Sequence, residues 1–255
     1  MPTSFIGIIP ARYASTRFPG KPLADLGGQT VIERVYRRAS SALPEVAVAT
    51  DDNRIFEAVE AFGGKAVMTS SHHRSGTDRC REAYENLGST ADVVINIQGD
   101  EPFIDPSQLR QLMGCFDDKS VGIATLVRPF PADKPFEALE NPNSPKVAVS
   151  PAMDALLFSR SVIPYLRGVE KSDWPSKHQY YTHIGLYAYR AEVLKEITRL
   201  PQSPLELAES LEQLRWLENG YRIRVAVSDC PTIGIDTPAD LEAARRFLAE
   251  KEGNL

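Results

Sequence analysis

Three short stretches of this chain hold residue types that can manage a polyanion and a hard cation. The first is Pro10-Ala-Arg-Tyr-Ala-Ser-Thr-Arg-Phe-Pro-Gly-Lys-Pro-Leu23, which places Arg12, Arg17 and Lys21 within ten residues. Two guanidinium groups can fork onto phosphate oxygens, and Lys21 adds a point charge. The small residues Ala11, Ala14 and Ser15 let backbone N–H groups approach a ligand, as in an anion-binding nest. The competing reading is a solvated loop with scattered charges. The second stretch is Val93-Val-Ile-Asn-Ile-Gln-Gly-Asp-Glu-Pro102. Gly99 permits close backbone approach, and Asp100 offers the hard oxygen that holds Mg²⁺ beside a polyphosphate. The competing reading of Asp100 is a helix-capping acid in a βα loop. The third is Gly234-Ile-Asp-Thr-Pro-Ala-Asp-Leu241. Taken alone, Asp236 reads first as an acid at a helix N-terminus; otherwise it is a second metal ligand arriving from across a sheet. One cationic loop and two acidic loops suit phosphoryl or nucleotidyl transfer, which asks a protein for positioning, charge neutralisation and in-line geometry.

These loops need a scaffold that brings them to one edge. Short β-branched runs alternate with helical patterns: strands over 4–9, 46–49, 65–68 and 92–97, and helices over 30–40, 53–62 and 75–86. Gly63-Gly64 stops the second helix. This alternation predicts an α/β fold with a parallel sheet. Continuous apolar runs such as Val93-Val94-Ile95 are what strands covered on both faces require. The first cationic loop follows the carboxyl end of strand one, where open α/β sheets bind ligands. The middle breaks the rhythm. Segments 121–127, 146–149, 155–158 and 184–189 look like antiparallel strands, 129–151 is rich in proline, and 169–177 reads as a polar loop. Residues 130–181 are read as an inserted subdomain. Helix starts return at Ser203-Pro-Leu-Glu206 and Thr237-Pro-Ala-Asp240, with a strand over 222–227 between them.

Composition removes several classes. The 255 residues are 42% hydrophobic and 25% charged, an ordinary globular mix. A net charge of −5 argues against a general nucleic-acid binder, which would be basic. No stretch approaches the ~20 apolar residues of a membrane span, and the N-terminus is not expected to be a signal peptide. Cys80, Cys115 and Cys230 form no CxxC pair, which fits a reducing cytoplasm. There is no GxxxxGK[ST] loop, no GxGxxG after the first strand, no GxSxG and no HExxH. His72-His73 reads as a pair of solvated loop residues.

With Val48-Ala-Thr-Asp-Asp52, Ser75-Gly-Thr-Asp-Arg79 and Leu211-Glu-Gln-Leu-Arg215, the three chemical stretches form a collinear set. The chain resembles the 3-deoxy-manno-octulosonate cytidylyltransferase family over nearly its whole length. The resemblance implies a Rossmann-like nucleotide-diphospho-sugar transferase fold, mostly parallel, with a partly antiparallel dimerisation subdomain near 130–181. It implies transfer of CMP from CTP to 3-deoxy-manno-octulosonate (Kdo) with Mg²⁺, in a cytoplasmic homodimer. Carried over by motif, Ala11, Arg12, Arg17 and Lys21 would bind the triphosphate, and Ser75, Arg79 and Gln98 would lie near the cytidine. Asp100 and Asp236 would ligate Mg²⁺, and Arg12, Lys21 and Asp100 would carry the catalysis. Arg160 would meet the sugar carboxylate, and His183, Tyr187, Glu212 and Gln213 the sugar hydroxyls. Read without the resemblance, Tyr187 is as well a core residue, Glu212 and Gln213 a solvated helix face, and His183 a satisfied buried histidine. Other readings are a transferase for a related sugar acid such as 8-amino-Kdo or a sialic acid, an NAD-linked oxidoreductase, and a non-catalytic nucleotide-binding regulator.

Overall fold

Residues 2–231 and 233–252 are described by a computed structural model, and two compact units divide the chain: Met1–Arg110 with Pro231–Leu255, and Gln111–Cys230. The first unit begins with β1 (Phe5–Ala11), α1 (Val31–Ser40), β2 (Val46–Thr50), α2 (Asn53–Ala61), β3 (Ala66–Met68), α3 (Gly76–Asn86) and β4 (Val93–Asn96). Its strands lie in the order β3-β2-β1-β4, and every pair is parallel. The alternation predicted from the sequence is present, with boundaries moved by one or two residues. Strands β2 and β4 are buried along their full length, as covering on both faces demands. Each fully buried Ile or Val contributes roughly 1.5–3 kcal/mol relative to exposure.

Each helix of this unit starts on a side-chain cap. Thr30, Asp52 and Ser75 accept hydrogen bonds from the amides of Glu33 (3.2 Å), Arg54 (3.0 Å) and Asp78 (3.1 Å). On α1, Val31, Ile32, Val35 and Ala39 are buried, and basic Arg37 and Arg38 occupy the last turn. Helix α4 (Pro106–Gly114) then carries the chain into the second unit.

The second unit contains β5 (Ile123–Pro129), a short α5 (Phe136–Leu139), β6 (Lys146–Val149), β7 (Ala155–Ser159), α6 (Trp174–Lys177), β8 (Tyr181–Arg190), α7 (Ala191–Ile197), α8 (Pro204–Glu209), α9 (Gln213–Glu218) and β9 (Ile223–Val227). Antiparallel pairing joins β5 to β8, β6 to β7 and β6 to β8, while β9 runs parallel to β5. The sequence suggested antiparallel partners here; β5 has one of each kind. The segment read as a polar loop, 169–177, is instead anchored by Trp174. Its side chain is buried against Phe136, Tyr165 and Tyr180, and its Nε1 donates to the Val169 carbonyl at 3.0 Å. One large aromatic outweighs the polar residues flanking it, because its buried area dominates the local balance. The capping box at Ser203 is present: its amide donates to Glu206 Oε2 at 3.2 Å.

The chain returns to the first unit with α10 (Pro238–Glu252). Leu26, Val31, Ile235, Leu241 and Ala244 form one buried cluster with Phe18 and Phe103 packed against it. This cluster fixes the segment that carries Asp236.

Candidate functional site

The loop after β1 must reverse sharply to bring Lys21 back toward the strand end. Gly20 supplies the reversal at φ 74°, where its amide donates to the Tyr13 carbonyl at 2.9 Å. The chain then enters a single 3₁₀ turn, Lys21–Leu23. After β4, Gly99 lies so close to β1 that a Cβ there would stand 2.8 Å from the Pro10 carbonyl oxygen. Contact that tight excludes any side chain and presses the Gln98-Gly99-Asp100 turn onto the cationic loop. Between them is a cleft of about 220 Å³ lined by Ala11, Arg12, Lys21, Arg79, Gln98 and Asp100 among others.

Lys21 is the centre of the charge arrangement. Its Nζ donates to Asp100 Oδ2 at 2.8 Å and to Asp236 Oδ1 at 3.4 Å. Arg17 adds a contact to Asp236 Oδ1 at 3.2 Å from a well-exposed position. The Ile235 amide donates to the Asp100 carbonyl at 2.9 Å, so the two acidic loops are also joined through backbone. Asp236 is therefore more than a local cap: the reciprocal cap of α10 is made by Thr237 and Asp240, whose N–H groups and oxygens pair at 2.8 and 3.2 Å. Enclosure and then the Asp100 charge push the neighbouring Glu101 carboxyl up to about 7. Asp100 and Asp236 are thus the pair of hard oxygen donors available to a cation here. Among the described residues, no group of three or more His, Cys, Asp or Glu side chains is arranged as a metal cage.

Arg12 and Arg79 lie deeper. Arg79 is fully buried; its guanidinium donates to Asp51 Oδ2 at 3.1 Å and to Thr69 Oγ1 at 2.6 Å, while Nε has no partner. Burial and then Arg79 lower Arg12 from its usual range, with Asp51 and Asp78 opposing. The Arg12 guanidinium donates to the His73 carbonyl, and the His73 ring meets the Glu82 carboxylate. Burial works to raise Glu82, but hydrogen bonds from His73 and the Ser70 amide hold it below the usual carboxylate range. The reading of His72-His73 as two solvated residues is thus corrected: His72 is exposed, whereas His73 is a half-buried brace for the loop behind Arg12. Asp51 and Glu82 were missed because each meets its partner only after folding, although Asp51 stands inside a motif the sequence displayed. Ser75 spends its hydroxyl on the α3 cap and does not line the cleft, where its neighbour Gly76 does.

The residues expected around the sugar belong to the second unit. Opposite Thr125, β8 carries a bulge at Gly185-Leu186, since Thr125 pairs with Tyr187 and Leu126 with Ile184. The buried Thr125 hydroxyl fills it, donating to the Leu186 carbonyl at 2.8 Å. That commits its only proton, so His183 Nε2 is the donor in its 3.1 Å contact with Thr125 Oγ1. Burial drives His183 down to about 3, so the ring is neutral at any ordinary pH. Tyr187 is held well above its usual value by burial, then by the neighbouring Tyr189 and Glu212. Gln213 Nε2 and Trp216 Nε1 have no hydrogen-bond partner, although both are buried. Gln213 is therefore not on a solvated helix face. Glu212 accepts from Arg215 at 2.8 Å. Arg160 gives three of its five N–H groups to backbone carbonyls: Glu209 (2.6 Å), Pro142 (2.9 Å) and Ser210 (3.3 Å). It also borders a cleft of about 370 Å³ with Phe136, Glu140, Lys171 and Trp174.

The neutral His183 has a measurable consequence. Below pH 6.5 an unfolded chain takes up a proton at this position that the folded chain refuses. The unfolded state then binds more protons, so stability falls as pH drops from about 6.5 toward 3. Between pH 7 and pH 5, His183→Gln is expected to lose about 2 kcal/mol less stability than the parent. Urea midpoints at the two pH values measure this, and parallel losses would contradict a buried neutral imidazole.

The chain is similar to known proteins over nearly its whole length. A cytidylyltransferase family model matches residues 6–223. A 3-deoxy-manno-octulosonate cytidylyltransferase of Phocaeicola vulgatus is 67% identical, covering 98% of this chain and 99% of that one. The protein of the same name from Porphyromonas gingivalis is 56% identical over 97% and 98%. A solved structure of CMP:2-keto-3-deoxy-manno-octonic acid synthetase complexed with CTP superposes with a TM-score of 0.89 at 44% identity, covering 98% of this chain and all of that one. A thymidylyltransferase structure from Bacillus anthracis, at 17% identity and TM-score 0.63, shares the fold. The chain belongs to the cytidylyltransferase family, and within it to the 3-deoxy-manno-octulosonate cytidylyltransferases.

Proposed function

We propose that this chain transfers the cytidylyl group of CTP to Kdo, releasing pyrophosphate. The oxygen of a sugar hydroxyl forms a bond to the α-phosphorus, its proton passing to water, as the bond from that phosphorus to the pyrophosphate oxygen breaks. The observation that carries the reading is the convergence of Asp100 and Asp236 on one ammonium beside the cationic cleft, in a chain so similar to enzymes of that name.

Arg12 and Lys21 neutralise the triphosphate and the charge that gathers on the leaving pyrophosphate. Ala11, without a bulky side chain, leaves the backbone open to the phosphates, and Arg17 extends the positive rim. Gln98 and Arg79, at the cleft wall, are the residues assigned to the nucleoside end; Ser75 orders the start of α3 there. Asp100 and Asp236 fit a divalent cation, since two hard carboxylate oxygens already accept a positive charge between them. We read that cation as Mg²⁺; when bound, it polarises the α-phosphate and lowers the pKa of the attacking hydroxyl.

The sugar is assigned to the second unit's polar residues. Two buried polar atoms without partners, on Gln213 and Trp216, favour a hydroxyl-rich ligand there, because native proteins seldom leave such groups unpaired. His183 is braced by Thr125 and acts as a neutral partner. Glu212, oriented by Arg215, accepts from a hydroxyl. Arg160 retains two N–H groups for the carboxylate. Arg160→Ala is expected to raise the KM for Kdo several-fold more than the KM for CTP, by leaving a carboxylate unpaired at roughly 1–3 kcal/mol. Equal changes in both constants would remove Arg160 from the sugar site.

The reaction is tested by pyrophosphate release with CTP, Mg²⁺ and Kdo, with UTP and ATP as nucleotide controls and 8-amino-Kdo and a sialic acid as alternative acceptors. Binding of CTP without pyrophosphate release would favour a regulator, and preference for another acid would change the acceptor. No described helix is long and apolar enough to cross a membrane, and we read the enzyme as cytoplasmic. We read it also as a homodimer through the segment near 130–181, where Leu156 and Tyr165 stand exposed; light scattering measures that mass.

A further inference from the structure

Lys21 stands where a positive charge is needed between two acids that are far apart in sequence. Its side chain is only 15% exposed, against 31% for Asp100 and 50% for Asp236. One of the two negative charges on the carboxylates that would receive a divalent cation is therefore already balanced, from the inner side, by the protein's own ammonium. The outer cation on this pair, Arg17, is 64% exposed and touches Asp236 alone. A divalent cation arriving by itself meets carboxylates already engaged by the protein's own cations, and an ammonium that repels it.

We propose that Lys21 is an internal counter-ion that keeps Asp100 and Asp236 closed to a divalent cation until nucleotide is bound. This rests on the nucleotidyltransferase reading of the same site. The triphosphate supplies a stronger partner for the Lys21 ammonium than two partly hydrated carboxylates. As Lys21 turns to the phosphates, Asp100 loses its ion-pair partner and Asp236 keeps only the exposed Arg17, so both can become ligands. The same ammonium thus serves two positions: it holds the acids in place in the free protein, and it faces the leaving phosphates in the complex. The consequence is an order of binding, with the cation entering after or with the nucleotide and not before it. It also gives the unliganded protein a reason to keep two nearby carboxylates from repelling one another.

The test uses Mn²⁺ alone, without nucleotide or sugar, with free Mn²⁺ read by electron paramagnetic resonance. Lys21→Met is expected to bind Mn²⁺ about tenfold more tightly than the parent, as the loss of two competing contacts permits. Lys21→Gln, similar in length and uncharged, is expected to do the same and serves if the Met variant does not fold. Arg17→Met is expected to change affinity by no more than about threefold, because its contact is well exposed. Adding Asp100→Asn to Lys21→Met should abolish the gain. Unchanged or weaker Mn²⁺ binding by both Lys21 variants overturns the proposal, as does a gain that survives Asp100→Asn. Pyrophosphate release by the parent tests the underlying reading separately. Release without the Mn²⁺ effect defeats only the counter-ion role, and the Mn²⁺ effect without release defeats only the assigned reaction.

Discussion

Asp100→Asn is expected to lower kcat by about 10²-fold or more with both substrates and Mg²⁺ saturating, the scale of losing one strong electrostatic group in a preorganised site. The substitution keeps the shape of the side chain and removes its charge. It leaves untouched the backbone contact by which the Asp100 carbonyl accepts from Ile235, so the join between the two acidic loops survives. The ion pair to Lys21 involves a carboxylate about one-third exposed, and pairs of that kind contribute up to about 1 kcal/mol. Urea unfolding should therefore change little while turnover collapses. A variant with the parent's kcat would remove Asp100 from the chemistry, and a matching collapse of stability would make its role structural.

The second large effect is on the fold. Arg79→Met is expected to cost about 3 kcal/mol of unfolding free energy, at the lower end of what breaking a buried ion pair costs. Arg79 has no exposed surface, and its removal leaves Asp51 without its cation and the Thr69 hydroxyl without its donor. Arg79→Lys should recover little, because a single ammonium cannot reproduce a planar fork serving two acceptors. Adding Asp51→Asn to Arg79→Met should restore at least half of the loss, since the uncompensated charge is then gone. Chemical denaturation of the three variants measures this. No loss in Arg79→Met would show that the pair is not buried as described. The result bears on function as well: Arg79 lines the cleft, so the residue assigned to the nucleoside is also part of the frame that shapes its pocket.

Much of the first unit was legible in the amino-acid order because the forces concerned are local. Thr30, Asp52 and Ser75 cap helices whose amides lie two or three residues away, and β-branched runs such as 93–95 are buried wherever a covered strand is needed. Gly99 declared close backbone approach by type, and the charged loops declared a polyanion by spacing. The polar stretch around Trp174 was misjudged for the same reason. Local polarity was counted, while the aromatic contacts with Phe136 and Tyr180 that bury it come from elsewhere in the chain.

What the order of residues determined by itself was the alternating α/β layout, the helix starts and the kind of ligand its loops could hold. Only the tertiary structure decided which charges meet. Lys21 reaches Asp100 across 79 positions and Asp236 across 215, and Thr125 reaches His183 across 58. Neither periodicity nor capping acts over such separations. These pairings follow from which side chains strand crossings and buried clusters leave within reach of one another, and proximity in space sets the charge state, the tautomer and the exposure on which the chemistry depends.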